Sequence, residues 1–416
     1  MSRLVRQVGN GRLRRRLLHD TARIAVHAAL SRITDGFLVL EDPDGSTTTF
    51  GRTSDSFGGT LKVHDMAFYE RLALEGEYGL GQTYVEGMWD ASDLRSTCLV
   101  LVVNQDRLRT IYDRLGILNA LGRRRRRWRH RLDDSTSNIR RQIGLAYDVD
   151  YTFMQYMLGP TMQYTCAIYP SAEATLDQAQ ENKLDIVIKK GDVRPEHTVL
   201  ELGCGYGGLA ARIHTRTGAK VRAVTLSRMQ YDWATRHHAG VDFEYLDYRN
   251  ATGKYDRIFA IGISEHVGLR NQRAFFEQVS DCLAPGGRAV IHSMTDLCAF
   301  DTVKRDFSYA HEIMRFGELP SPQQFFNAYF RTGLRLVHSE LLGLHYARTM
   351  AEWGRNVDRF ASDHPDDASR TFCRGYRYLW AISGAQMEST TSLVQMVFEK
   401  QPYGAPLLHS ATDRVR

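Results

Sequence analysis

From about residue 180 onward the chain alternates short β-rich apolar runs with amphipathic stretches of helical period, which narrows the fold more than any other feature. "TVLELGCG" runs into a glycine loop, with a helix expected from Gly207 to His214. "KVRAVTLS", "VDFEYLDY", "YDRIFAIGI" and "RAVIHSMT" read as further strands, and "TSLVQMVFEK" as a late one. Helices are expected over Arg228–His238 and through "NQRAFFEQVSDCLAPGG", the latter stopped by Pro285-Gly286-Gly287. Strands separated by helices predict a doubly wound α/β unit whose mostly parallel sheet is covered on both faces.

With 416 residues the chain is longer than one typical domain. Three parts separate: a smaller N-terminal α+β domain over 1–121, a basic linker over 122–138 and the α/β domain over 139–416. Residues 1–31 read as a basic amphipathic helix, with Leu13, Leu17, Ile24 and Ala28 on one stripe. "GFLVLEDPDGSTTTFG" predicts a hairpin turning at Asp-Pro-Asp-Gly, and "WDASDLRSTCLVLVVN" a capped apolar helix. Residues 1–31 carry seven arginines and 121–131 seven more, although the whole chain is only +6. Positive charge is thus concentrated where an anionic surface would meet it, with Trp128 inside the second run as an interfacial anchor. No apolar run approaches the ~18 residues of a membrane span. Six cysteines lie scattered without CxxC spacing, which argues against a metal site or a disulfide framework and fits a cytoplasmic protein.

In "ELGCGYGG" the glycines 203, 205, 207 and 208 let a ligand lie against the backbone at the sheet's carboxyl edge. A dinucleotide loop is the competitor, but its GxGxxG spacing differs. Glu201 followed by Gly203, Gly205 and Gly207 resembles the nucleoside-binding loop of methyltransferases that use S-adenosylmethionine. In such enzymes the second strand usually ends in an acidic residue for the ribose. Here it ends "AVTLSRMQ", so Thr225, Leu226, Ser227 and Gln230 would take that role. Asp247 and Tyr248 occupy the position of an adenine contact; the plainer reading of Asp247 is a turn or cap residue.

"IGISEHVG" places Glu265 and His266 directly after an apolar strand, between Gly262 and Gly268. Together with "MQYTCAIYP", "VLELGCGYGGLA", "VTLSRMQ", "LAPGGRAVIHSMT" and "HYARTMAEW", this stretch resembles the cyclopropane fatty acid synthases, over nearly the whole chain after about residue 30. The resemblance implies a Rossmann-like class I methyltransferase domain. Such an enzyme adds the methyl of S-adenosylmethionine to a cis double bond of a phospholipid acyl chain and closes a ring with bound bicarbonate as base. By the same resemblance Cys166, Glu265, His292 and Tyr346 would hold the bicarbonate, positive charge on His292 helping, while Tyr164 and Thr165 would meet the cofactor's amino-acid end. His266 reads as structural. Met294 stands where a branched aliphatic residue is expected. Phe300, Phe316, Phe325, Phe326, Tyr329 and Phe330 are aromatic candidates for an acyl pocket. The resemblance also implies a homodimer resting peripherally on the inner face of the cell membrane, held by the basic stretches. A branch-forming fatty acyl methyltransferase is the near alternative. An RNA methyltransferase is disfavoured, since no nucleic-acid-binding motif is present.

Overall fold

The computed structural model describes residues 17–108, 149–298, 309–314 and 319–401. Leu13, the expected linker at 122–138, Trp128, Phe300 and Phe316 lie outside these residues. Helix α1 (residues 17–30) leads into a four-stranded sheet. Strands β1 (Phe37–Glu41) and β2 (Thr47–Gly51) form the expected hairpin, paired from Phe37↔Gly51 to Glu41↔Thr47. β3 (Gly58–Val63) runs parallel to β1, and β4 (Trp89–Ala91) antiparallel to β3. Between them lie α2 (Ala67–Glu75) and α3 (Glu77–Val85), and after them α4 (Leu94–Val103). α4 starts at the expected cap, the Asp93 carboxylate accepting from the Ser96 N–H at 2.9 Å.

Helix α1 differs from the sequence reading in which face it buries. Ala22, Val26, Ala29 and Leu30 enter the core beside Leu38, Phe50 and Tyr69. Leu17, Ile24 and Ala28 stand outside it, Leu17 at 59% and Ile24 at 70% exposure. The helix carries two apolar stripes on opposite sides, and the sheet took the one rich in small residues, which allow close approach.

The second sheet has the order β10-β11-β9-β8-β5-β6-β7. Helices α5 (Tyr151–Leu158) and α6 (Leu176–Gly191) precede β5 (Thr198–Leu202). Then follow α7 (Gly208–Thr217), β6 (Lys220–Thr225), α8 (Arg228–His237), β7 (Asp242–Tyr245), β8 (Tyr255–Ile261), α9 (Gln272–Cys282) and β9 (Leu283–Asp296). Strands β5 to β9 are mutually parallel. Along β8, Ile258 and Ala260 pack toward α9, whereas Phe259 and Ile261 pack toward α6 and α7. This is the doubly wound arrangement expected from the alternation of strands and helices.

The C-terminal part adds α10 (Tyr309–Met314), α11 (Pro322–Tyr329), β10 (Leu334–Leu341), α12 (Gly343–Asp363), α13 (Asp367–Met387) and β11 (Thr391–Lys400). β11 inserts antiparallel between β9 and β10. Helix α13 also belongs to the N-terminal core through Tyr378, Ala381, Ile382 and Ala385. Arg374 fastens the two parts, donating to the Tyr84 and Trp89 carbonyls and to Asp90 while lying 4.1 Å over the Tyr84 ring. Among the described residues no helix is long and apolar enough to cross a membrane.

Candidate active site

The parallel strands end at an open-mouthed cavity at the carboxyl edge of the sheet, where open α/β folds take their ligands. Tyr164, Thr165, Glu201, Gly203, Gly205, Thr225, Leu226, Gln230 and Tyr248 all line it. Gly203, Gly205 and Gly207 have φ of 72°, 56° and 79°, a conformation that favours glycine. Only at Gly205 does the missing side chain face open space; a Cβ on Gly207 would meet the Phe243 ring at 2.6 Å. Gly207 therefore lets the loop close onto the sheet and does not line the cavity. Ser227 and Asp247 are also outside the lining. Ser227 caps α8, accepting from the Gln230 N–H at 3.2 Å. Asp247 accepts from the Arg249 N–H at 3.0 Å and pairs with its guanidinium at 2.6 Å, so its carboxylate is already occupied. Gln230, inside α8, is expected with Thr225, Leu226 and Ser227 to replace the acidic residue that usually ends the second strand of the α/β unit. Its Oε1 accepts from the Thr225 hydroxyl at 3.1 Å, leaving the amide nitrogen as a donor.

Glu201 points from β5 into this cavity with Oε2 buried and partnerless, and burial pushes its carboxyl up to about 8. A partnerless carboxyl oxygen on a residue that lines the cavity suits a ligand that carries an ammonium group. S-adenosylmethionine has one, so the residues present fit that cofactor. Buried Lys183 lies behind the same wall, donating to Gln163 Oε1 and Thr165 Oγ1, both at 2.9 Å.

None of the four residues expected to hold bicarbonate lines the cavity, and they fall in two groups, Glu265 with His292 where β8 ends beside β9 and Cys166 with Tyr346 in an apolar cluster. Strand β8 ends at Gly262, whose N–H donates to the His292 carbonyl at 2.8 Å and whose φ is 77°. A Cβ there would lie 2.8 Å from Thr165 Cγ2 and 3.8 Å from Glu265 Oε1, so the glycine lets the cavity wall and Glu265 close on each other. The Glu265 carboxylate accepts from the Ser293 hydroxyl at 3.2 Å and from the Met294 backbone N–H. Met294 thus acts on Glu265 through its backbone, which an aliphatic-to-methionine change leaves intact. Burial pushes the Glu265 carboxyl up to about 7.

His292 is fully buried, and Gln395 settles its tautomer. Lys190 donates to Gln395 Oε1, so the amide nitrogen donates to His292 Nδ1 at 3.1 Å. The imidazole proton then sits on Nε2, which is buried without a partner. Burial and the charges of Lys183 and Lys190 hold this histidine neutral, contrary to the positive charge expected there. Lysines on α6 carry the positive charge instead.

Cys166 and Tyr346 share one apolar cluster with Met294, Trp353 and Trp380. Burial pushes the Cys166 thiol well up, so it is neutral. Tyr164 joins the two regions: it lines the cavity and packs edge-on to Trp353 at 5.3 Å and to Trp380 at 6.0 Å. The aromatic candidates from α11 are elsewhere. Phe325 and Tyr329 pack with Phe276 toward α9, while Phe326 and Phe330 stack on each other, exposed. The amphipathic phase of α11 turns its buried face toward α9. Sequence reasoning missed Gln163, Lys183, Trp353 and Trp380, and assigned no site role to His266, which lines the cavity. Gln163 and His266 adjoin motif residues and were within reach; Lys183 had no local signal.

A family model described as mycolic acid cyclopropane synthetase matches residues 134–396. The chain is 30% identical over 355 residues to the cyclopropane-fatty-acyl-phospholipid synthase of Escherichia coli K12, covering 82% of this chain and 87% of that one. It is 29% identical over 368 residues to the tuberculostearic acid methyltransferase UfaA1 of Mycobacterium tuberculosis, covering 83% and 82%. The structure of the cyclopropane synthase MmaA2 from Mycobacterium tuberculosis aligns at a TM-score of 0.59 and 23% identity, over 63% of this chain and 98% of that one. At such identity the likeness speaks for the fold, which is that of the class I methyltransferases. The chain belongs to the mycolic acid cyclopropane synthetase family and is an S-adenosylmethionine-dependent methyltransferase of the cyclopropane-fatty-acyl-phospholipid synthase type.

Proposed function

We propose that this enzyme methylates the cis double bond of a phospholipid acyl chain and closes a cyclopropane ring, with bicarbonate as base. One observation carries the reading: the cavity at the glycine loop shares Tyr164 as a wall with a buried apolar cluster holding Cys166, Tyr346, Trp353 and Trp380. Chemistry between a polar methyl donor and an oily chain needs this adjacency. S-adenosylmethionine, when bound, supplies an electrophilic methyl group; Glu201, Thr165, Gln230 and the glycine loop would hold it. An alkene is a weak nucleophile, so the cluster's task is to exclude water and align the chain. The ring faces of Trp353, Trp380 and Tyr346 would stabilise the cationic carbon that methylation leaves, at roughly 0.5–2 kcal/mol each. That carbon's new methyl must lose a proton to close the ring. Glu265 and the Nε2–H of His292, with Cys166 and Tyr346, would orient bicarbonate to accept it.

The outward stripe of Leu17, Ile24 and Ala28, adjoining the arginine-rich N-terminus, supports docking on an anionic membrane, two copies sharing one surface. A branch-forming enzyme shares the first half of this chemistry, and the 29% identity to the tuberculostearic acid methyltransferase keeps it in view. Both readings are tested by incubating the protein with S-adenosylmethionine and vesicles of anionic, cis-monounsaturated phospholipid. A one-carbon mass gain with upfield cyclopropane protons by NMR is the expected result. Vinylic methylene protons would establish branching, and no gain across several unsaturated lipids would reject an acyl acceptor.

A further inference from the structure

We propose that Lys183 is a positioning residue for the amino-acid end of the cofactor, turning the Thr165 hydroxyl into a donor toward the cavity and favouring an ionised Glu201 carboxylate once the cofactor's ammonium is bound. The inference rests on the cavity being the S-adenosylmethionine site.

Lys183 lies within α6, and its whole side chain is buried. Its two hydrogen-bond acceptors, Gln163 Oε1 and Thr165 Oγ1, are both neutral. An ammonium taken out of water for two neutral partners is a poor source of stability, and a methionine would fill the same space. What a methionine lacks is charge and donors, and both act on cavity residues. A threonine hydroxyl has one proton. Accepting from Lys183, Thr165 must aim that proton elsewhere, and Thr165 lines the cavity. Gln163 is fixed in the same way: with Oε1 taken by Lys183, its amide nitrogen donates to the Thr161 carbonyl at 3.3 Å.

Glu201 is the second target. Its Oε2 is buried with no partner, and the positive charge of Lys183 favours its ionised form. The other titratable groups coupled to this lysine and carboxylate are Cys166, Cys204 and His292. Burial pushes both thiols up and the imidazole down, so all three are neutral. Lys183 is thus the one cation acting on Glu201 among the described residues. Burial pushes Lys183 down to about 8 and Glu201 up to about 8, and their mutual attraction restrains both shifts. The result is a donor at Thr165 and, in the same wall, a Glu201 carboxyl at about 8 that the arriving ammonium of the ligand, with Lys183 behind it, would convert to an anionic acceptor. That pair matches the carboxylate and ammonium of a zwitterion and leaves the nucleoside to other residues.

The test is calorimetric binding of S-adenosylhomocysteine, and of 5′-methylthioadenosine, which has the same nucleoside but no amino-acid end, to the full-length wild type and Lys183→Met. The variant is expected to bind S-adenosylhomocysteine ~10–50-fold more weakly near neutral pH, with the acid limb of affinity moved up by about one pH unit. Affinity for methylthioadenosine is expected to stay within about twofold. Equal losses for both ligands would reduce Lys183 to a structural role and overturn the proposal. Unchanged affinity and pH profile for S-adenosylhomocysteine would also overturn it. A wild type that binds methylthioadenosine but not S-adenosylhomocysteine would refute the zwitterion wall alone, whereas one that binds neither would remove the cofactor reading and this inference with it. A second measurement needs no change at 183, in case the variant fails to fold. Carboxyl carbon NMR of glutamate-labelled wild type, assigned with Glu201→Gln, is expected to show Glu201 ionised in the S-adenosylhomocysteine complex at neutral pH. A Glu201 that stays protonated in the complex overturns the proposal.

Discussion

Glu265 is poised between its two protonation states because burial, partly offset by Ser293 and the Met294 N–H, pushes its carboxyl up to about 7. Under the proposed function Glu265 would have to take bicarbonate's proton to orient it as an acceptor, so the ionised form would be the working one. Turnover at saturating cofactor is therefore expected to rise as pH passes about 7, on a limb absent from Glu265→Gln. That variant should lose ~10²–10⁴-fold in kcat while binding S-adenosylhomocysteine within about threefold of wild type, by turnover assay and calorimetry. Buried carboxyls also link stability to pH. Glu77, Glu201 and Glu265 are pushed up to about 7, 8 and 7, so each adds stability below the ordinary carboxyl range and loses it as pH rises through those values. His266, pushed down to about 4, and His292, pushed further down, act in the opposite sense, but only below the ordinary histidine range. Above about pH 6.5 and below about 8 the carboxyls dominate, and Tm of the ligand-free protein should fall across that window. Glu265→Gln should flatten the fall; a Tm rising with pH there would contradict the assignment.

The glycine loop shows how one motif divides its work between neighbouring positions. Gly205 faces the cavity with open space where a side chain would stand, whereas Gly207 abuts Phe243 and Ala234. Gly207→Ala should destabilise the fold by about 1–3 kcal/mol in denaturant titrations, with cofactor-analogue affinity of the folded protein nearly unchanged. Gly205→Ala should cost less stability and more affinity, since its Cβ intrudes on the ligand's space. The sequence marked both glycines alike, because a motif records backbone need and not which atoms crowd each position. The same limit runs through the rest of the molecule. The parallel strands were legible because β5, β8 and β9 are near-continuous apolar runs. β10 was not: as an edge strand with mostly exposed residues it lacks that signal. Glu265 and Tyr346 were singled out through their motifs, their roles resting on the proposal, and Asp247 shows the cost of position alone, since Arg249 two residues on pairs with its carboxylate. Lys183 and Trp380 take their places through packing between α6, α12, α13 and the cavity wall, contacts that span most of the catalytic part of the chain and leave no local pattern, whereas Trp353 closes the motif "HYARTMAEW" but gains its neighbours only in the fold.

At the scale of the whole molecule the proposed function raises the question of how a buried apolar cluster would receive a lipid that lives in a bilayer. Tyr309, Tyr378 and Ile382 pack into the N-terminal core, and Arg374 ties α13 to Tyr84, Trp89 and Asp90, so the N-terminal part is braced against the helix that also carries Trp380. A surface that holds the N-terminal part on a membrane would thereby hold the active site near it. Helix α1 would offer such a surface because its second apolar stripe is exposed among the described residues: Leu17 and Ile24 are its large residues, with Ala28 between Ile24 and the turn that follows. Burying one such side chain in the interface contributes up to ~1.5–3 kcal/mol, and each nearby arginine about 1 kcal/mol against anionic headgroups, screened by salt. Ile24→Glu exchanges that gain for a repelled charge at a position where the fold asks for nothing. It should weaken binding to anionic vesicles by tenfold or more in cosedimentation, with Tm and S-adenosylhomocysteine affinity unchanged. Wild-type binding should fall steeply with added salt, while the salt-resistant remainder should be the part that Ile24→Glu removes. Equal vesicle binding by wild type and variant would mean that α1 rests on something other than the bilayer, and that the lipid reaches Trp353 and Trp380 by another face.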